Sequence, residues 1–236
     1  MIVLNILIMI LVIYLIYILI GVICTLYMRY RNPFKASSKK GKRLCLTFDD
    51  GIDPIYTPML LDLLKSYDVK ASFFILSSSA YKYPEILMRM KNEGHVIGLH
   101  SVKHQNGILM LPYQIYLDFK RSIKILDDKK IKPLYYRPPW GHINPFGVYL
   151  CKKYGLKIIF WTVIVGDWSK YVTKEILVNR LHKKINGSAV VCLHDGRGKN
   201  EAPLKTIATL KEMIPFWEKE GYKFETIPEF IKENIN

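Results

Sequence analysis

From Met1 to Met28 the chain carries no Asp, Glu, Lys, Arg or His, and this uncharged aliphatic stretch constrains the architecture more than any other feature. At about 1.5 Å per residue a helix of that length reaches about 42 Å, more than the roughly 30 Å hydrocarbon thickness of a bilayer, so it can span with some tilt. A cleavable signal peptide would place basic residues ahead of a shorter apolar stretch and end in a small-residue cleavage site, and none of these features is present. Residues 1–28 therefore read as a retained transmembrane anchor. A basic linker over 29–42 follows, and then one soluble domain over 43–236. Ile23, large and β-branched, stands where a lipid-modified Cys24 would need a small neighbour, which argues against lipidation.

All the charge falls on the remainder: 35 Lys+Arg against 20 Asp+Glu, a formal net charge of +15, in a chain that is 50% hydrophobic. That composition excludes a disordered tail, a collagenous repeat or a disulfide-stapled mini-protein. Arg29, Arg31, Lys35, Lys39, Lys40, Lys42 and Arg43 follow the apolar stretch, and by the positive-inside rule they place the domain in the cytoplasm. The same residues would also lie against anionic headgroups on either side. The other basic residues are spread out rather than clustered with aromatics, so nucleic acid is not an expected partner, whereas an anionic membrane or wall polymer is. No obligate protein partner is evident. Cys24, Cys45, Cys151 and Cys192 show no CxxC spacing and lie in apolar runs, as buried thiols do.

Beyond Lys42, short apolar runs alternate with helical stretches, the pattern of a βα-repeating domain. The runs are Leu44 to Phe48, Ala71 to Leu76, His95 to Leu99, Leu134 to Arg137, Lys157 to Val163, Ala189 to Leu193 and Tyr222 to Thr226. Thr57–Pro58 and Asn144–Pro145 read as N-cap and first helical residue, and Gly94 and Gly155 as helix C-caps. A largely parallel α/β domain follows, and periodicity leaves open whether its sheet is open or closed. In such folds catalytic groups gather at the C-terminal strand ends. Asp49 and Asp50 end the first run, His100 and His104 follow the third, Arg137 ends the fourth, Asp167 follows the fifth and His194 ends the sixth.

Two His separated by three residues, with a carboxylate from another strand, form a three-ligand set that leaves positions open for water and substrate. Zn²⁺ in such a set brings the pKa of bound water towards ~7, although the same ligand types also suit Fe(II). Adjacent Asp49 and Asp50 can both reach the rim if the turn at Gly51 breaks strand alternation, one binding metal while the other acts as base. His194 could then protonate a leaving group, which fits hydrolysis better than oxidation. An isolated DDG is more often a turn, and a lone HxxxH more often incidental. Asp195 and Arg197 read as loop charges, His95 as a packed residue and His182 as a surface residue.

Taken jointly, the stretch from Thr47 to Leu76 (TFDDGIDPIYTPMLLDLLKSYDVKASFFIL), GHVIGLHSVKH from Gly94, YRPPWG from Tyr136, WTVIVGDW from Trp161 and LHD from Leu193 resemble the five ordered motifs of the polysaccharide deacetylases, carbohydrate esterase family 4. The resemblance covers the chain from about Lys42 to the C-terminus. It implies a distorted (β/α)7 barrel and a divalent-metal hydrolase, with Zn²⁺ expected and Co²⁺, Ni²⁺ or Mn²⁺ as alternatives. The expected reaction removes N-acetyl groups from N-acetylglucosamine-containing glycans such as peptidoglycan or chitin-like polymers. Carried over by motif, Asp49 is the base, Asp50, His100 and His104 bind the metal, and His194 is the acid. Arg137 orients Asp49, and Asp167 pairs with Arg137 and tunes His194. The backbone N–H of Trp140 joins the metal in holding the oxyanion, and Trp168 and Leu193 line an acetyl pocket.

Ile52 stands where the family usually has Pro, Trp140 where Tyr is commoner, Ile164 where an Asp often sits, and Leu99 where a polar residue is common. These departures touch groove shape and polarity and leave base, acid and ligands in place. The alternatives are a deacylase of a lipid-linked sugar precursor, an O-acetyl sugar esterase, and a membrane-tethered glycan-binding protein without catalysis. The resemblance places the domain outside the cytoplasm, against the basic flank.

Overall fold

The computed structural model describes residues 1–32, 34, 41–196 and 201–232. Lys35, Lys39 and Lys40 of the expected linker, and Arg197, lie outside the described residues. Among the described residues, strands β1 (Arg43–Asp49), β2 (Ser72–Ile75), β3 (Val96–Leu99), β4 (Tyr135–Tyr136), β5 (Lys157–Ile158), β6 (Val163–Ile164), β7 (Ala189–His194) and β8 (Lys223–Phe224) form one sheet. Its order is β5-β4-β3-β2-β1-β7-β6, with β8 on the first residues of β1, and every pairing is parallel. β1 is an interior strand, paired with β2, β7 and β8 and buried along nearly its whole length, as parallel strands covered on both faces are.

The expected fifth strand run divides into two strands, and this division decides the open-or-closed question. β5 and β6 are joined only by residues 159–162, yet they occupy opposite edges of the sheet. Strands about 4.8 Å apart would put those edges about 29 Å from each other in a flat sheet, whereas the five residue steps from Ile158 to Val163 reach at most about 18 Å. The sheet must curl. Ile159 N–H donates to Tyr136 on one edge (2.9 Å) and Thr162 N–H donates to Val190 on the other (2.9 Å), so a single segment bridges the two edges of the curled half-barrel by changing partners.

Helices α1 (Ile2–Tyr30), α2 (Tyr56–Ser66), α3 (Ser77–Lys82), α4 (Pro84–Asn92), α5 (Pro112–Asp127), α6 (Pro145–Lys153), α7 (Lys174–Lys184), α8 (Ala202–Lys219) and α9 (Ile227–Lys232) complete the described fold. Leu60, Leu61 and Leu64 of α2, Leu177 and Leu181 of α7, and Leu210, Met213 and Trp217 of α8 bury against the strands. Asn144 caps α6 as the sequence suggested, its Oδ1 accepting the Gly147 N–H at 2.9 Å. Gly94 and Gly155 hold φ of +82° and +68° after their helices, where a side chain would be strained. Thr57 does not cap α2, which begins a residue earlier. Asp53 Oδ1 accepts the N–H groups of Ile55 and Tyr56 instead, leaving the Thr57 hydroxyl for the interior.

α1 is long and apolar enough to cross a membrane, and it continues through Arg29 and Tyr30. Residues 1–13 are exposed, while Tyr14, Tyr17, Ile18, Gly21, Thr25 and Met28 are covered to differing degrees, a stripe at helical spacing. Thr25 Oγ1 donates to the Ile143 carbonyl (2.7 Å) and accepts its N–H (2.9 Å), tying the helix to the loop before α6.

Candidate active site

The C-terminal ends of β1, β3, β4 and β7 open into one cleft of about 950 Å³, lined among others by Asp49, Asp50, His100, His104, Trp140, Trp168 and His194. Asp49 is the last residue of β1. Asp50 follows it with a left-handed φ of +71°, which cancels the alternation that would send neighbouring side chains to opposite faces. Ser101, His104 and Trp140 also have positive φ (+75°, +55° and +53°), so backbone conformations costly for side-chain-bearing residues concentrate on this rim. Gly51 is required here for a different reason: a Cβ would stand 2.5 Å from the Asp195 carboxylate.

Asp50, His100 and His104 each offer a donor atom, all within 4.8 Å of one another. Asp50 Oδ1 lies 3.4 Å from His100 Nε2 and 3.3 Å from His104 Nε2, is buried, and has no hydrogen-bond partner among the described residues. His100 Nδ1 is 2.7 Å from the Arg137 carbonyl, which can only accept, so the proton sits on Nδ1 and the Nε2 lone pair faces the triad. An orphaned carboxylate oxygen facing imidazole nitrogens in a buried pocket fits a divalent cation. Burial opposes ionisation of Asp50, but the positive charge that His100, His104 and His194 can carry beside it holds its pKa down to about 2. Asp118 of α5 accepts from Ser101 Oγ (3.0 Å) and Val102 N–H (2.9 Å), and so shapes the turn that carries His104.

Asp49, Cys192 and His194 form a second group with donor atoms within 4.8 Å. In this group the carboxylate oxygens are already engaged. Arg137 NH1, itself fully buried, donates to Asp49 Oδ1 at 2.7 Å and to Thr47 Oγ1 at 2.7 Å, and Cys192 Sγ donates to Asp49 Oδ2 at 3.4 Å. Burial, with Asp49 nearby, raises the Cys192 thiol well above its ordinary range, so it remains a neutral donor. His194 Nδ1 meets Asp167 Oδ1 at 2.9 Å. Burial disfavours its charged form, yet Asp167, aided by Asp49 and Asp50, lifts its pKa to about 9. The Trp140 ring packs edge-on against His104 (centroids 4.0 Å apart) and Trp168 against His194 (4.9 Å), so an indole flanks each histidine.

The structure thus brings the expected base, acid, ligands and both tryptophans to one mouth, with Arg137 and Asp167 buried behind. Asp167 bonds to His194 and Thr206, and no bond from it to Arg137 is seen. Leu193 is not brought there. It faces the opposite side of β7 and packs with Val165, Leu177, Leu181 and Leu210. Asp195 is no solvated loop charge: it is 2% exposed, accepts from Thr57 Oγ1 at 2.6 Å, and burial raises its pKa to about 7. His95 is packed as expected, its Nδ1 accepting the Ala71 N–H, with burial lowering its pKa to about 4. His182 sits on the outside of α7 against Phe216. All four cysteines are free thiols. The sequence reads Arg29 only as part of the basic flank and Cys192 only as a buried thiol, and it gives Thr47 and Asp118 no site role, because nothing in their local spacing marks a place at the cleft.

A curled parallel sheet whose strand ends present a fixed carboxylate and a fixed histidine beside an Asp–His–His cluster is an arrangement suited to metal-assisted hydrolysis. Comparison with known proteins agrees. The polysaccharide deacetylase family model matches residues 36–159. A peptidoglycan-N-acetylglucosamine deacetylase of Bacillus cereus is 34% identical over 81% of this chain and 89% of its own length. The Listeria monocytogenes peptidoglycan-N-acetylglucosamine deacetylase PgdA is 34% identical over 86% of this chain, which spans 42% of that longer protein. The crystal structure of the Bc1960 peptidoglycan N-acetylglucosamine deacetylase superposes with a TM-score of 0.75 at 31% identity, covering 80% of this chain and 88% of that one. The chain belongs to the polysaccharide deacetylase family and is an enzyme of carbohydrate esterase family 4.

Proposed function

We propose that the protein removes N-acetyl groups from N-acetylglucosamine-containing glycans of the cell envelope, peptidoglycan foremost. The observation that carries this is the pairing of Asp49, fixed by Arg137, with His194, fixed by Asp167, beside the Asp50–His100–His104 triad in one cleft. The relatives named as peptidoglycan deacetylases support the substrate class. Held by Asp50, His100 and His104, a divalent ion, Zn²⁺ by ligand type, would acidify a water and polarise the acyl carbonyl.

The protein's own groups do the rest. Asp49 accepts the proton of the water that attacks the amide carbon. Its carboxylate cannot rotate away, because Arg137 and Cys192 hold one oxygen each. The backbone N–H of Trp140 serves as a donor to the oxyanion. His194, kept protonated by Asp167, gives a proton to the departing sugar amine as the C–N bond breaks, leaving acetate and the free amine. Trp140 and Trp168 flank the sugar and exclude water from the acyl group.

The anchor reading of α1 belongs to the same proposal: a single-pass membrane protein, with the domain over 43–236 on the outer side where peptidoglycan lies. Part of the basic flank also serves the fold. Arg29 donates to the Trp140 carbonyl, Arg43 pairs with Glu225, and Lys42 donates to the Glu220 carbonyl, so these charges are committed to the fold. A second substrate reading, a glycan precursor held at the membrane, is favoured by one observation: Arg29 of α1 lines the cleft.

The test is acetate release by the full chain in detergent, from N-acetylglucosamine oligomers, peptidoglycan fragments and O-acetylated sugars, with and without chelator and added Zn²⁺. Chelator-sensitive release from the N-acetyl substrates is expected. Release from O-acetylated sugars alone would replace the amidase reading with an esterase, and glycan affinity with no release from any of them would leave a binding protein.

A further inference from the structure

We propose that the loop Asn106–Tyr113 is a second membrane-contacting element, inserted into the apolar layer of a lipid bilayer beside α1, and that together they seat the catalytic cleft at headgroup height. The proposal rests on the anchor reading of α1 given above.

The first argument is one of length. The domain packs along α1 as far back as Tyr14, whose hydroxyl donates to the Leu109 carbonyl at 3.1 Å, and Tyr17, whose hydroxyl donates to the Met110 carbonyl at 2.6 Å. Tyr14 and Tyr17 lie about 18 Å and 22 Å along the helix from Ile2, short of the roughly 30 Å needed to cross the hydrocarbon. The part of α1 free of the domain is too short to span alone. If the helix crosses in this pose, Leu109 and Met110 are inside the apolar layer with it. Gly21 makes the approach possible, since a Cβ there would already press on Ile108 at 3.2 Å.

The loop's chemistry fits that position. Gln105 to Leu117 contains no Asp, Glu, Lys, Arg or His. Leu109 and Leu111 are each 50% exposed and Tyr113 70% exposed, a cluster of large apolar side chains facing outward next to an apolar helix. Irregular backbone survives in hydrocarbon only where its polar groups are satisfied from within the protein. Here the N–H groups of Ile108, Leu109, Met110 and Leu111 donate to Asn106 Oδ1, the Asn106 carbonyl (twice) and Gln114 Oε1. The carbonyls of Gly107, Leu109, Met110 and Leu111 accept from Asn144 Nδ2, Tyr14, Tyr17 and the Ile115 N–H. Asn144 Nδ2 also donates to the Tyr17 hydroxyl, closing the network.

Arg29 lies about 12 Å beyond Gly21 along α1, where the apolar layer gives way to headgroups. There its guanidinium donates to the Trp140 carbonyl and lies 5.5 Å from the Trp161 ring.

The test uses the full chain in phosphatidylethanolamine–phosphatidylglycerol vesicles. Nitroxide labels are placed at Leu109→Cys and Leu111→Cys in a Cys24→Ser background, where the remaining cysteines are buried. Collisional accessibility to oxygen and to a neutral nickel chelate is compared with labels at Ile10→Cys and Lys152→Cys. An oxygen-to-nickel ratio several-fold above that of Lys152, approaching that of Ile10, is expected at both loop positions. A ratio like that of Lys152 with Ile10 in lipid overturns the loop proposal alone, and an aqueous Ile10 overturns the anchor reading and this proposal together. Loop labels shielded from both reagents would mean that a protein covers the loop, which also overturns it.

Discussion

Asp167 holds His194 at two points. Its Oδ2 accepts the His194 backbone N–H at 2.8 Å, and its Oδ1 lies 2.9 Å from the ring Nδ1. One buried carboxylate thereby fixes both the end of β7 and the orientation of the imidazole it presents. Thr206 Oγ1 of α8 donates to the same Oδ2 at 3.0 Å, anchoring the carboxylate in turn.

This pair sets a pH dependence. Because the pKa of His194 in the folded protein is lifted to about 9, above the ordinary 6.5, the acid is protonated through neutral pH and the rate declines on the alkaline side near 9. The same shift stabilises the fold fully below about 6.5, and that stabilisation is lost as pH rises through 9. Asp167→Asn should move the alkaline limb down towards the ordinary imidazole range and lower kcat by roughly 10²–10⁴-fold. pH–rate profiles of both proteins check this, and an unmoved limb would remove His194 as the acid.

Arg137 is fully buried, with Asp49 as its ion-pair partner. Removing one member of a buried pair leaves the other uncompensated, at about 3–5 kcal/mol. Arg137→Ala should lower the melting temperature by roughly 6–20 °C for a chain of this size and abolish acetate release. Asp49→Asn should cut kcat roughly 10²–10⁴-fold. Thermal melts beside acetate assays separate the two effects.

Metal binding has a readout independent of turnover. With Zn²⁺ at about 100 times its Kd, the folded state should gain about 2.7 kcal/mol, which raises the melting temperature by roughly 5–11 °C. Asp50→Ala and His104→Ala should lose that gain, while Cys192→Ala should keep it, since the Asp49 group is already satisfied by internal donors. A Zn²⁺ shift that survives Asp50→Ala and disappears in Cys192→Ala would move the metal to the other cluster.

Asp195 predicts a stabilising substitution. Burial raises its folded pKa to about 7, so the native state binds a proton more tightly than the unfolded chain between about 4 and 7, and stability falls as pH rises through that window. Asp195→Asn removes the ionisation while keeping the shape beside Gly51. The variant should melt above the parent at pH 8 and converge with it near pH 4. A parent that melts higher at pH 8 would refute it.

Much of the candidate site is legible in the sequence, because strand-end residues carry their position in the sequence. A run such as Leu44 to Phe48 followed by Asp49, Asp50 and Gly51 fixes where the carboxylates emerge, and the HxxxH after β3 and the His after β7 do the same. Residues that act through distant partners were not legible. Asp195 looked like a loop charge, and Leu193 looked like a pocket residue although it faces the core. Cys192 showed only that it is buried, and Thr57 looked like a cap. Each of these depends on what lies across the barrel.

The sequence by itself determined the apolar helix, the alternation of strands and helices, and the order in which chemistry-bearing residues meet the rim, since these follow from local periodicity and chain-neighbour geometry. The curl of the sheet into a half-barrel was decided only in three dimensions, by a four-residue connection, 159–162, too short to span a flat sheet. The tertiary structure also decided what faces each carboxylate: Arg137 and Cys192 engage the oxygens of Asp49, whereas Asp50 Oδ1 faces the ring nitrogens of His100 and His104. So too with α1: only packing shows that its second half lies on the catalytic domain, because a helix's apolar side chains suit a protein face and a lipid face equally well.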